Sequence, residues 1–294
     1  MNEYDQLLAR GGLSLERLAT LCRVVDAGGL TKAAGGDVSR LSLYSRQIKD
    51  LESFFSLPLV RKVGRVAVPT AHAKAIAASV RAHLKQLQAH VGAEVQLGPF
   101  VLASSQSLQE WYLAPRLVRL GKALGNRTIR LMVMRSREIA EALEDHRLDM
   151  ALIRHDALPP GMKSKPVMKL TYALFAPKTL AAGATPRKVI QNLPLAIPLG
   201  GRLREQVEQA ARKAGLTLKI GLEASSFTLC ADAVNRGLYA AILPSIAESA
   251  LDADRVVKLP LPLTMDLARN IVAAWHPAAP DGGWKTMVKL LASS

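Results

Sequence analysis

Six side chains able to engage an anionic surface fall within ten consecutive positions: Arg40, Ser42, Tyr44, Ser45, Arg46 and Lys49. A helix fits the major groove of a duplex, and hydroxyl and guanidinium groups near its N-terminal half reach base edges and phosphates. Arg40, Ser42 and Tyr44 come early enough in such a helix to enter the groove. Arg46 and Lys49 come one to two turns later and suit phosphates or a second base step. Arg65, between two short apolar runs, stands where a hairpin tip reaches an adjacent minor groove or backbone. Taken singly, each arginine is ordinarily a solvated surface charge, and Tyr44 fits a partly buried core position as well as a DNA contact. The register of the whole set is what favours DNA.

A second set of polar groups follows strand-like runs. Ser104, Ser105 and Ser107 come directly after FVLA and open a helix at Leu108. Ser136 follows IRLMVMR, Gly200 and Arg202 follow PLAIP, and Ser226, Phe227 and Thr228 form a further group. Helix N-termini and loop N–H groups at strand ends suit carboxylates or other anions. A serine at a helix start is ordinarily just a cap; placement after successive strands raises the ligand reading. Arg135, Arg154 and Arg202 are all available to balance an anion, and the sequence does not choose among them.

Catalysis finds no support in these residues. No G-x-S-x-G elbow surrounds Ser104 or Ser105, and no histidine–aspartate pair is placed by motif. His72, His83 and His90 are too widely spaced for a helical zinc site, and the Gly-Gly pairs form no phosphate loop. No catalytic residue, metal site or cofactor is therefore expected.

The elements that would position these groups are readable. Ser14 can cap a helix over LERLATLCRVVDA, which Gly28-Gly29 stops. Thr31 caps a short helix, TKAA, ended by Gly35-Gly36-Asp37, and a third runs from about Arg40 to Phe55. LPLVRKV and RVAVPT make a hairpin. Thr70 then caps a long helix whose apolar positions Ala73, Ile76, Val80, Leu84, Leu87 and Val91 step by three or four residues. So narrow a seam suits pairing with another helix. Past Gly98-Pro99 the texture changes. The runs FVLAS, IRLMVM, DMALIR, YALFAP, PLAIP, YAAILP and NIVAAW alternate with helical stretches, implying an α/β domain with largely parallel sheets.

Bulk properties agree. The chain has 294 residues, a net charge of +15 and a pI near 10.1, favouring polyanionic partners through counterion release. Residues 1–96 carry 13 Lys and Arg against 8 Asp and Glu, and the remainder 26 against 16, so charge does not by itself locate a nucleic-acid site. No secretory signal or spanning segment is legible, and two distant cysteines, Cys22 and Cys230, suit a reducing cytoplasm.

Three stretches carry a family resemblance: Gly28-Gly29-Leu30-Thr31-Lys32-Ala33-Ala34; Ser45-Arg46-Gln47-Ile48-Lys49-Asp50-Leu51-Glu52; and Leu59-Val60-Arg61 with Arg65 and Val68-Pro69-Thr70. Together they resemble the LysR-type transcriptional regulators. Weaker echoes follow at Leu148-Asp149-Met150-Ala151-Leu152 and at Arg236-Gly237-Leu238-Tyr239-Ala240-Ala241-Ile242-Leu243-Pro244. At the turn, where many members place a leucine, a hydrophobe and Ser-Gln, this chain has Asp37-Val38-Ser39-Arg40-Leu41-Ser42.

The resemblance implies an α/β protein overall. A winged helix-turn-helix over residues 1–69 would be joined by a linker and dimerisation helix over 70–96 to a two-lobed, periplasmic-binding-protein-like effector domain over 97–294. It adds Thr31 and Lys32 to the candidate DNA contacts, and Ile76, Val80, Leu84, Leu87 and Val91 to a dimer seam. Double-stranded DNA, a small effector, a second or fourth copy of the chain and RNA polymerase are the implied partners, with no membrane among them. Two alternatives stay open: a ligand-independent regulator with a vestigial effector domain, and a cytoplasmic small-molecule-binding protein.

Overall fold

The computed structural model describes residues 9, 11–64, 66–88, 98–125, 127–261, 267–279 and 283–292. The chain divides into two compact units: residues 1–97 with 141–149 and 276–282, and residues 98–140 with 150–275 and 283–294.

In the first unit, α1 (Leu15–Ala27) is capped by Ser14, whose hydroxyl oxygen accepts from the Arg17 N–H at 3.2 Å. Gly28, left-handed at φ 73°, ends it and returns its N–H to the Val24 and Val25 carbonyls. Gly29 then leads into α2 (Leu30–Ala34) without any side-chain cap. Thr31, expected to cap this helix, lies inside it; the tight Gly28-Gly29 turn starts the helix one residue earlier. α3 (Val38–Phe55) begins at Asp37, whose carboxylate accepts from the Arg40 N–H at 3.0 Å. That bond holds the Asp37 carboxyl below its usual range. The expected start at Arg40 was therefore late by the length of the cap.

α1 and α3 are tied by a polar seam that is buried at Thr20 and Gln47. Thr20 donates to Gln47 at 2.7 Å, Gln47 donates to Glu16 at 3.0 Å, and Arg17 pairs with Asp50 at 3.0 Å. Around the seam Leu21, Val24, Ile48, Leu51 and Leu59 are buried. β1 (Val60–Val63) and β2 (Val66–Pro69) pair antiparallel as the wing. The wing is anchored by the Glu52 carboxylate, which accepts from the Leu59 and Val60 N–H groups at 2.7 and 3.1 Å.

Thr70 caps α4 (Ala71–Gln88) through the Ala73 N–H at 3.2 Å. Ala73 and Ala77 are fully buried in the first unit's core, with Ile76 packed against it. The N-terminal part of the seam thus packs on the chain's own helices, where small residues permit close approach. Arg81 extends the attachment, donating to Asp26 of α1 at 2.8 Å. Burial raises the Asp26 carboxyl, and the Arg81 charge opposes that rise.

The second unit opens with β3 (Phe100–Ser104), a distorted helical stretch over 106–116 and α5 (Leu117–Ala123). It continues through β4 (Ile129–Val133), the start of α6 (Ser136–Glu144, assigned to the first unit from residue 141), β5 (Met150–Arg154) and β6 (Lys163–Leu170). Thr171 alone separates β6 from β7 (Tyr172–Pro177), and then come α7 (Pro186–Asn192), β8 (Leu195–Pro198) and α8 (Arg202–Lys213). After β9 (Ile220–Ala224), α9 (Phe227–Asn235), β10 (Ala240–Pro244) and β11 (Val256–Leu259), the chain returns as β12 (Arg269–Trp275) and ends in α10 (Trp284–Ala292).

The strand orders are β4-β3-β5-β12-β6 and β11-β7-β10-β8-β9, one five-stranded sheet per lobe. The sheets are mixed, not largely parallel as expected. β12 runs antiparallel to both β5 and β6, and β7 antiparallel to both β10 and β11. Each lobe thus contains strands that enter it from the other.

Gly29 supplies a test of the helix-turn-helix packing. A Cβ there would sit 2.6 Å from the Ala67 carbonyl oxygen on β2, whereas one on Gly28 would meet open space. Gly28→Ala should cost about 1 kcal/mol for its left-handed backbone. Gly29→Ala should cost more, roughly 2–3 kcal/mol, because wing backbone must shift. Urea unfolding of both variants measures the difference, and equal losses would show that the wing yields freely.

Candidate functional site

On α3 the buried residues Tyr44, Gln47, Ile48, Leu51 and Phe54 turn one face inward. Arg40, Ser42, Arg46 and Lys49 are exposed. Ser42, Ser45, Arg46 and Lys49 line a shallow surface groove together with Leu41, so the structure brings these candidate DNA contacts together. Ser42 also donates to its own helix, at Val38 O, 3.0 Å away. Thr31 and Lys32 are exposed on α2. Tyr44 is 8% exposed and belongs to the core, so it leaves the polar face; its ring fills the space between α3 and its neighbours. Arg65 lies outside the described residues. Farther along α4, Val80 and Leu84 are half-buried and Leu87 is exposed, while Val91 lies outside the described residues.

The second unit holds a cleft of about 740 Å³ between its two sheets. Ser105, Ser107, Ser136, Gly200, Ser226 and Phe227 line it, as the sequence reading placed them. Ser104 does not: it is fully buried under the end of β3 and donates to the Ser105 carbonyl at 3.2 Å. Thr228 lies behind the lining, within 2.8 Å of Ser226 and accepting from Gln106 at 3.1 Å. Only the backbone of Arg202 is described, at the start of α8.

Most of the serines do local work. Ser226 caps α9 through the Leu229 N–H at 3.3 Å, and the Ser105 and Ser107 hydroxyls lie 3.4 Å apart. At the head of α6 the cap is Glu138, accepting from the Arg135 N–H at 2.7 Å. Two lining residues missing from the sequence reading are Tyr172 and Arg269, which join Arg154 on one wall. Neither sits in a motif; only strand pairing brings them there. Burial raises the Tyr172 phenol, against the opposing charges of Arg269 and Arg154.

A winged helix-turn-helix leading into a long helix, with a cleft-bearing α/β domain of two lobes, defines the class. Residues 93–291 match the family model for the LysR substrate binding domain. The chain belongs to the LysR family. The nitrogen assimilation regulatory protein Nac of Escherichia coli (strain K12) is 25% identical over 252 residues, covering 81% of each chain. Among solved structures, a full-length OxyR variant from Pseudomonas aeruginosa superposes with a TM-score of 0.71 at 17% identity, over 95% of this chain and 93% of that one. ArgP from Mycobacterium tuberculosis gives 0.70 at 18%, over 95% and 97%. Full-length CbnR complexed with its target DNA gives 0.59 at 17%, over 95% and 99%. These likenesses in structure establish the fold.

The two cysteines belong one to each unit. Cys230 is fully buried, and burial pushes its thiol up to about 11. Burial also raises Cys22, whose sulfur lies 3.7 Å from the Ala77 carbonyl. The thiolate is the reactive species, so Cys230 is expected to resist a thiol reagent at neutral pH until denaturant is added. Native-state labelling at the rate of a free thiol would contradict that assignment.

Proposed function

We propose that this chain is a sequence-specific DNA-binding transcriptional regulator, acting in the cytoplasm, whose second unit binds a small effector in its cleft. One observation carries the reading: α3 commits one face to the core and keeps Arg40, Ser42, Arg46 and Lys49 on the other, open to solvent. Nac is named a regulatory protein and CbnR was solved on its target DNA, which supports giving the same role to this face. The long helix α4 supplies the pairing element. With Ala73, Ala77 and Ile76 engaged at home, Val80, Leu84 and Leu87 form the part of the seam left for a second copy. Pairing there would set two recognition helices a helical turn apart or a multiple of it. An effector acts on such an assembly only by preferring one arrangement of it.

Footprinting on the intergenic DNA upstream of the chain's own gene, against scrambled DNA and across a salt series, tests the reading. A protected, two-fold-related site supports it. Equal and steeply salt-dependent binding to both DNAs leaves a basic protein with nonspecific affinity. On the protected site, Arg46→Ala should weaken binding by about 1–3 kcal/mol, and unchanged affinity would remove Arg46 from the interface. Replacing Val80 and Leu84 together by Glu should give a monomer by sedimentation; an intact dimer would place the seam elsewhere.

A further inference from the structure

Two of the cleft's arginines, Arg154 and Arg269, share one wall, and strand register puts them there. Arg154, at the end of β5, pairs with Ile271 of β12. Arg269 precedes Ile271 by two residues, so both guanidiniums leave the same face of the sheet as diagonal neighbours. Arg269 pairs in turn with Leu170 at the end of β6, and Tyr172 follows across the single-residue crossover. Arg154, Leu170, Tyr172, Arg269 and Ile271 all line the cleft. Arg269 is steadied by the Ala268 carbonyl at 3.0 Å and by Gln206 of α8. The Arg154–Asp156 contact is long, 3.5 Å, and Asp156 is 43% exposed. Such a pair is weak and yields to a better-placed carboxylate.

Elsewhere several of the cleft's polar side chains are engaged locally. Ser226 caps α9, Gln106 donates to Glu110 and Thr228, and Glu138 caps α6. Arg135 is exposed at the rim. The remaining surface is largely apolar, with Leu108, Val133, Ile139, Leu152, Leu199 and Phe227. The Phe227 ring centroid lies 6.3 Å from that of Tyr172, so an aromatic surface adjoins the basic wall.

Resting on the reading of this cleft as an effector site, we propose that the Arg154–Tyr172–Arg269 wall binds the carboxylate of a hydrophobic monocarboxylic acid. Its ring or chain lies along Phe227 and the aliphatic lining. Two guanidiniums and a phenol that stays protonated match a planar group with two oxygens. A phosphate would bring a third oxygen to Leu170 and Ile271, which offer it nothing. A second carboxylate would be carried into the apolar part, at a desolvation cost. A cation meets like charge.

The test uses the full-length protein, followed by thermal shift and by the fluorescence of its tryptophans, Trp111 being buried in the core cluster against which Phe227 packs. The probes are 3-phenylpropanoate, its neutral isostere 3-phenylpropanamide, 3-phenylpropylamine, succinate and inorganic phosphate. Variants are Arg154→Gln, Arg269→Gln, Tyr172→Phe, and Ser136→Trp to fill the cleft, each checked for native circular dichroism. 3-Phenylpropanoate should bind the wild type about tenfold or more tighter than the amide. Each arginine variant should weaken the acid about 10- to 100-fold while leaving the amide unmoved. Tyr172→Phe should weaken the acid by a smaller factor.

Binding of the acid that is indifferent to both arginine variants overturns the proposal, as does preference for succinate or phosphate, or the absence of any binding. If the amide or the amine binds best and Ser136→Trp abolishes it, the cleft remains the effector site and the carboxylate class falls. If Ser136→Trp leaves acid binding intact, the cleft reading itself fails.

Discussion

Strand β12 has two edges to satisfy, and both are satisfied inside a sheet begun more than a hundred residues earlier. It pairs antiparallel with β5 on one side and β6 on the other. An unpaired backbone group in that position would be buried away from water at a cost close to that of a lost hydrogen bond, so the first sheet is complete only when the chain has come back from building the second. Much of the cleft follows from this requirement. The chain must cross between lobes twice, and Thr171 makes one crossing so short that Leu170 and Tyr172 fall on either side of it. The other brings Arg269 onto the wall beside Arg154. A cleft assembled by strand return has its polar groups fixed by sheet register, and sheets deform less readily than the loops that usually carry binding residues.

Legibility in the sequence followed burial. α1 was readable because Ser14, a periodic apolar face and Gly28-Gly29 all speak within one short window. Central strands such as DMALIR and YAAILP were readable because both faces are covered and their middle positions form an unbroken apolar run. The unread strands were β6, β9 and β11, all at sheet edges. Their burial is sparse, and β6 even carries Pro166 beside its register shift, as edges tolerate and centres do not. Losing those strands also hid the antiparallel character of the sheets, since β6 and β11 are antiparallel to their neighbours.

The candidate sites were legible in unequal measure for a related reason. The α3 face depends on residues a few positions apart on one helix, and helical period alone separates Ile48 and Leu51 from Arg46 and Lys49. Tyr44 stayed open to both readings because an aromatic ring with a polar tip fits either face. The basic wall of the cleft depends on pairing between positions 154, 269 and 170, which no local window contains. Serines drew attention to the strand ends, and the structure shows them there, capping helices and bonding one another. The arginines that can meet an anion had no motif to announce them.

Arginine accordingly serves two opposite environments in one chain. On α3 it stands in water, where a guanidinium costs little to maintain and, on the proposed reading, gains by displacing condensed ions from a duplex. In the cleft it is half-buried beside a phenol and aliphatic side chains, where a charge is more expensive to hold and Arg154 has only the long contact to Asp156. The chain's surplus of positive charge is spread over both units and cannot by itself distinguish one operator from another. On the proposed readings, discrimination has to come from the few groups whose geometry is held: the α3 face by the Thr20–Gln47–Glu16 seam beneath it, and the cleft wall by the pairing of β5, β12 and β6. Softening either support would leave the charge, and with it the attraction, while removing the selectivity.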